Sequence, residues 1–71
     1  MESPRIVCDP KILMGKPCLA GTRISVELIL DKLGRGDSID DIVQDYPHIS
    51  REGVLAVLRY AAETFRTGKV A

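Results

Sequence analysis

Tryptophan is missing from this 71-residue chain, and aromatic residues make up only 4% of it: Tyr46, Tyr60 and Phe65. A core must then be assembled from Ile, Leu, Val and Ala, which a hydrophobic content of 45% supplies. Net charge is missing too, because ten basic residues meet ten acidic ones. That balance argues against a strongly basic nucleic-acid binder and against a protein held on a membrane surface. No apolar run approaches the roughly 18 residues of a membrane span, and no signal-peptide pattern opens the chain, so a cytoplasmic protein with no membrane partner is expected. Cysteine is sparse. Cys8 and Cys18 stand in no C-x-x-C spacing and are expected to be reduced, small, buried hydrophobes. A zinc site would need them to join His48 and a fourth ligand. His48 is the only histidine and has no nucleophile spaced around it, so no enzyme, no cofactor and no small-molecule substrate are expected. Internal repeats and low-complexity segments are absent as well.

What is present reads as one domain over residues 1–71: a β arm over 1–25, a helical bundle over 26–66 and a tail over 67–71. A chain this short buries only about 60% of the surface its unfolded form exposes, so a partner or self-association is expected to support it. Charge is unevenly spread. Residues 1–25 carry four basic and two acidic side chains, residues 26–50 two and six, and residues 51–71 four and two. The basic flanks are therefore the surface that could meet phosphate.

The densest pattern lies between Asp37 and Phe65. Ile39, Ile42, Val43 and Tyr46 fall at i, i+3, i+4 and i+7, one face of a helix. Ser38 followed by Asp41 is a capping-box start, and Pro47 stops that helix at Tyr46. After a short polar turn of Pro47, His48 and Ile49, Ser50 caps a second helix in which Val54, Val57, Leu58, Ala61 and Phe65 make one stripe, widened by Leu55 and Ala62. This is a helix-turn-helix outline. Upstream, Ser25 caps a helix with Val26, Ile29, Leu30 and Leu33 on one face, ended by Gly34 and Gly36. Leu28 lies off that face and offers apolar surface on a second side. Arg5, Ile6, Val7 and Cys8 read as a short strand, residues 11–14 as a second extended piece or a single helical turn, and residues 18–24 as two brief strands about a turn at Gly21. An arm so short must pair across a partner chain or lie on the helices. The expected fold is mainly α: a small three-helix helix-turn-helix bundle with a short N-terminal β arm.

Five segments taken together resemble one family. They are Gly15-Lys16-Pro17, Ala20-Gly21-Thr22-Arg23-Ile24-Ser25-Val26, Leu33-Gly34-Arg35-Gly36, Asp40-Asp41-Ile42-Val43-Gln44-Asp45-Tyr46-Pro47 and Val54-Leu55-Ala56-Val57-Leu58-Arg59-Tyr60-Ala61. In this order, over nearly the whole chain, they resemble the small bacterial domain-of-unknown-function family four-thirty-three. The resemblance implies a homeodomain-like helical fold with a short β arm, commonly a homodimer. It also implies an antitoxin that holds in check a PIN-like nuclease toxin encoded beside it. The family pattern often carries a second glycine where this chain has Met14.

Two functions follow as expectations. In the first, a dimeric regulator of the antitoxin type enters the major groove of operator DNA with the helix that starts at Arg51, using Ser50, Arg51, Glu52 and Arg59, with Arg23 and Lys16 of the arm beside them. In the second, the last helix docks on a protein partner and the helix-turn-helix is a fold only. Leu28, Leu55, Leu58, Ala62 and Phe65 are the candidate partner or dimer interface. A helix that only read DNA would be more polar than this one. Each polar candidate also has a plainer reading. Ser50 is a cap and Arg51 a solvated charge, while Arg23 is a strand residue paired with the acidic helices, the reading favoured for it. Lys16, Lys11 and Arg5 are surface charges, Asp40 and Asp41 are first-turn acids favoured by the helix dipole, and Asp45 lies on a solvated face.

Overall fold

Three serines decide where the helices begin. The protein is described by a computed structural model over residues 5–68. Ser25 opens α1 (Val26–Gly34), Ser38 opens α2 (Ile39–Asp45) and Ser50 opens α3 (Arg51–Arg66). Each serine is extended, and its Oγ accepts from the backbone N–H three residues on: Leu28 at 3.0 Å, Asp41 at 3.0 Å and Gly53 at 3.1 Å. One otherwise unpaired donor is satisfied at each helix start. At α2 the cap is reciprocal, since the Ser38 N–H donates to Asp41 Oδ2 at 2.9 Å.

The helix ends follow from the backbone as well. Gly36 takes φ 105° just past α1, and Tyr46 leaves the helical region (φ −127°, ψ 81°) ahead of Pro47. Lys32, in the last turn of α1, lies 4.0 Å from Asp37 Oδ2 and 5.5 Å over the Tyr46 ring. One half-buried cation therefore ties α1 to both ends of α2.

The arm is a two-stranded antiparallel hairpin of β1 (Ile6–Val7) and β2 (Cys18–Leu19), with Ile6 opposite Leu19 and Val7 opposite Cys18. The strand expected over residues 5–8 shrinks to its two central residues, and of residues 11–14 only Leu13 and Met14 enter a single 3₁₀ turn, Leu13–Gly15, with Lys11 and Ile12 in the turn before it. Beyond β2 the Leu19 N–H donates to the Ile24 carbonyl at 3.0 Å across a turn in which Gly21 has φ 79°. Thr22 Oγ1 fastens that turn, donating to the Leu19 carbonyl at 2.8 Å and accepting from the Ile24 N–H at 3.1 Å. The second brief strand expected there reduces to one bridge between Cys18 and Ser25, because Ser25 already starts α1. The arm lies on the helices of its own chain. Cys18 is fully buried, and Leu19 joins Val26, Ile29, Ile42, Ile49, Val54 and Val57 in the core.

Three sequence readings need correction. Ile49 belongs to the core, 3% exposed, and not to a polar turn. It precedes the Ser50 cap as Val54 follows it, the placement of a hydrophobic staple, and Ile24 and Ile29 stand in the same relation to Ser25. Cys8 is exposed, because pairing in β1 stops at Val7 and leaves it outside the sheet. Arg23 sits exposed in the bend after Gly21, outside any strand, and makes no ion pair among the described residues.

The tight connection in the arm carries strain. Asp9 begins it, its Oδ1 accepting from the Lys11 N–H at 2.9 Å and its carbonyl from the Ile12 N–H at 2.8 Å. Leu13, Met14 and Gly15 then run through φ 52°, 56° and 85°. Only the last is a glycine, and a left-handed L-residue costs roughly 1–2 kcal/mol. Met14 is 90% exposed, so no packing on the described chain offsets that cost.

Two expectations follow. Met14→Gly is expected to raise stability by about 0.5–1 kcal/mol, the relieved strain exceeding the added freedom of the unfolded chain; urea unfolding of the two proteins measures it. Asp41 has its carboxyl held below the ordinary 3.8, first by the Ser38 N–H and then by the Ser38 hydroxyl. Its pKa is lowered on folding, so its contribution is complete above that ordinary value and is lost as pH falls through the folded one. NMR titration is expected to place the Asp41 midpoint below 3.8. Ser38→Ala, which costs about 1 kcal/mol, is expected to leave most of the depression because the backbone donor remains.

Candidate docking face on the last helix

Helix α3 is amphipathic in a way that leaves two apolar faces. Gly53, Val54, Ala56 and Val57 are buried, with Tyr60, Ala61 and Thr64 half-buried on the same side. Gly53 lets the first turn sit close to the arm. A Cβ there would lie 3.3 Å from Ile49 Cγ2 and 3.6 Å from Leu19 Cδ1. The inner face is thus fixed at its N-terminal end by the staple and the hairpin together.

Leu55, Leu58, Ala62 and Phe65 follow the spacing 3, 4, 3 along the opposite side. Leu55 is half-buried, Leu58 is 38% exposed, Ala62 is exposed and Phe65 is 70% exposed. The single stripe read from the sequence therefore divides: Val54, Val57 and Ala61 turn inward, while Leu58 and Phe65 join Leu55 and Ala62 outside. Arg51 precedes Leu55 by four residues and continues the outer line, and Glu52, Arg59 and Arg66 repeat every seven residues along one edge of it.

The polar candidates are partly engaged already. Ser50 spends its hydroxyl on the cap of α3. Arg51 Nη1 reaches Asp40 Oδ1 of α2 at 3.2 Å, with both groups largely exposed. Arg66 pairs with Glu63. Arg59 makes no ion pair among the described residues. Glu52 is exposed beside Arg51, so the first turn of α3 carries both signs. Lys16 is drawn to Glu27 of α1 at 3.2 Å, which ties it to α1 and not to the start of α3. Leu28 is half-buried on α1 beside Ser25, Glu27 and Asp31. Of the expected acids, Asp41 closes a cap and Asp40 meets Arg51. Among the described residues no three His, Cys, Asp or Glu side chains gather as a metal site.

A groove of about 750 Å³ is floored by Pro17, Val26 and Leu30, widened by Gly34, and edged by the pairs Lys16–Glu27 and Asp31–Arg35 at 3.2 and 3.0 Å. The four charged groups at its edges are paired with one another. Among the described residues no helix is long and apolar enough to cross a membrane.

The family pattern of "Protein of unknown function (DUF433)" matches the chain over residues 6–61. The chain belongs to that family. Neither a curated protein nor a solved structure matches it.

The two faces of α3 are separable by substitution. Val57→Ala opens a cavity in the core and is expected to cost about 2 kcal/mol. Leu58→Asp and Phe65→Ser are each expected to cost under about 1 kcal/mol, as changes at exposed positions do. Denaturant unfolding compares them. A loss at Leu58 as large as that at Val57 would make the outer stripe part of the core.

Proposed function

We propose that this domain is an antitoxin-type docking module, which folds around its own small core and uses the outer stripe of α3 to hold a nuclease-like protein partner. The observation that carries this reading is the apolar line of Leu55, Leu58, Ala62 and Phe65 on the side of α3 turned from the core. An exposed Phe and Leu in line are unusual where a helix only meets water, and burying a Phe on a partner stabilises a complex by about 1.5–3 kcal/mol. Electroneutrality supports it, since a module that binds protein needs no excess of cations. The antitoxin role and the PIN-like nuclease rest on what the family resemblance implies.

A second reading is favoured by one feature. The succession of α2, the turn and α3, with Arg51 and Arg59 outward, is compatible with a homeodomain-like helix-turn-helix that reads operator DNA. Against it stand the pairing of Arg51 with Asp40 and the leucines where base-reading side chains would be.

The experiment that tests both is co-expression with the product of the neighbouring gene, followed by purification through a tag on either protein. A complex is expected, weakened at least about tenfold by Leu58→Asp, in line with loss of a central apolar contact. Titration against the chain's own upstream DNA is expected to give the same weak binding as a scrambled duplex, at two salt concentrations and for Arg51→Ala alike. Specific DNA binding abolished by Arg51→Ala, with an undiminished complex in Leu58→Asp, would reverse the ranking.

A further inference from the structure

Strand β1 uses one of its two edges. The Arg5 carbonyl accepts from the Ala20 N–H at 2.9 Å, and with Ile6 opposite Leu19 and Val7 opposite Cys18 the antiparallel alternation turns the backbone groups of Arg5 and Val7 toward β2. Ile6 and Cys8 therefore aim their N–H and C=O groups at the other edge, where no hydrogen bond reaches them among the described residues. The far side of β2 is covered, by Leu19 donating to Ile24 at 3.0 Å and Val26 to Pro17 at 2.9 Å. The edge of β1 is thus the open side of this small sheet, and an open edge is a template for another strand.

The sequence at that edge matches itself when reversed. Counting outward from Val7, Ile6 stands against Cys8, Arg5 against Asp9 and Pro4 against Pro10. Two antiparallel copies of β1 centred on Val7 would set Ile6 of each against Cys8 of the other, and each such pair exchanges both of its backbone hydrogen bonds. The prolines, with no N–H to give, would close the ladder at its ends. Charge agrees with this register. Arg5 is exposed, Asp9 is half-buried, and neither has an ion-pair partner among the described residues. Asp9 keeps Oδ2 for one, since its Oδ1 accepts from the Lys11 N–H. The two lie about 13 Å apart along an extended chain, too far to pair with each other. Antiparallel pairing would bring each opposite its counterpart on the second copy, whereas a parallel arrangement would set like charges side by side. Ile6 packs against the core, so Arg5, Val7 and Asp9, which alternate with it, fall on the other side of the strand.

We propose that two copies of this chain join edge to edge through β1, antiparallel and centred on Val7, into one sheet of order β2, β1, β1, β2. Such a sheet has the strand number that a lone hairpin of two-residue strands lacks. With few residues on each side the dimer is a weak one. The interface uses no residue of the α3 outer stripe, which stays available to a different protein.

Sedimentation equilibrium of the full chain, at up to about 1 mM to reach weak association, is expected to show monomer and dimer in exchange. Arg5→Glu and Asp9→Lys are each expected to weaken the dimer at least about tenfold, because both cross-strand charge pairs turn repulsive. An equimolar mixture of the two variants is expected to recover it, since opposite charges then meet at both places; a turn damaged by loss of Asp9 is not mended by mixing. Register is read by mild oxidation in a Cys8→Ser background. Val7→Cys is expected to cross-link, its Cα standing about 4.5 Å from its counterpart across the axis and within disulfide reach. A monomer at every concentration, or a dimer that Arg5→Glu leaves at full strength, would overturn the proposal. A dimer lost in Leu58→Asp alone would overturn it in favour of pairing through α3. Failure of the mixture to recover the dimer, or of Val7→Cys to cross-link, would overturn the register.

Discussion

The start of α3 is the point on which the rest of the molecule depends. Ser50 caps the helix, Ile49 turns inward just before it, and Gly53 leaves room for Leu19 of β2 to reach the same spot. A methyl group at Gly53 would stand 3.3 Å from the Ile49 side chain, so a larger residue forces the turn or the hairpin away. The arm, the turn and the longest helix thus share one contact. Without it a hairpin of two-residue strands has nothing to lie on, and Ile29 and Ile42 lose the wall that Val54 and Val57 provide. A chain of this size has few such contacts to spare.

Much of this was legible because local chemistry decides it. Three serines, one aspartate at the right spacing, Pro47 and Gly36 just past α1 fix the helix limits with no knowledge of tertiary structure. What was not legible is which apolar residues face which way. In α3 the run 54, 57, 58, 61 and the run 55, 58, 62, 65 both satisfy helical spacing and share Leu58. Only the position of the other helices selects the first for the core, and then without Leu58. Ile49 was hidden for a related reason. Between Pro47, His48 and a capping serine it looks like turn, and its burial follows only once the staple to Val54 is considered.

The candidate site divides along the same line. Leu55, Leu58, Ala62 and Phe65 were recognisable as an apolar excess, since one small core does not need them all. The engagement of Arg51 was not recognisable, because Asp40 lies eleven residues earlier and meets it only when α2 folds back on α3. Met14 is a third case. Nothing in composition or periodicity marks it, yet the family resemblance, which carries glycine there, agrees with a backbone that wants one.

The outward side of α3 cannot serve two ligands at once. A helix lying in the major groove presents that side to base edges, where discrimination comes from donors and acceptors, and an apolar contact distinguishes little beyond the thymine methyl. Here the line that would face the bases runs Arg51, Leu55, Leu58, Ala62, Phe65. Only its first member can read a base directly, and that member is shared with Asp40. The same line laid against an apolar partner would bury only carbon side chains from Leu55 to Phe65, and it would remove from water the most exposed aromatic of the described chain. Desolvation therefore penalises one use of this face and favours the other, in which Arg51 at the end of the line and Arg59 along its edge would keep partial access to water.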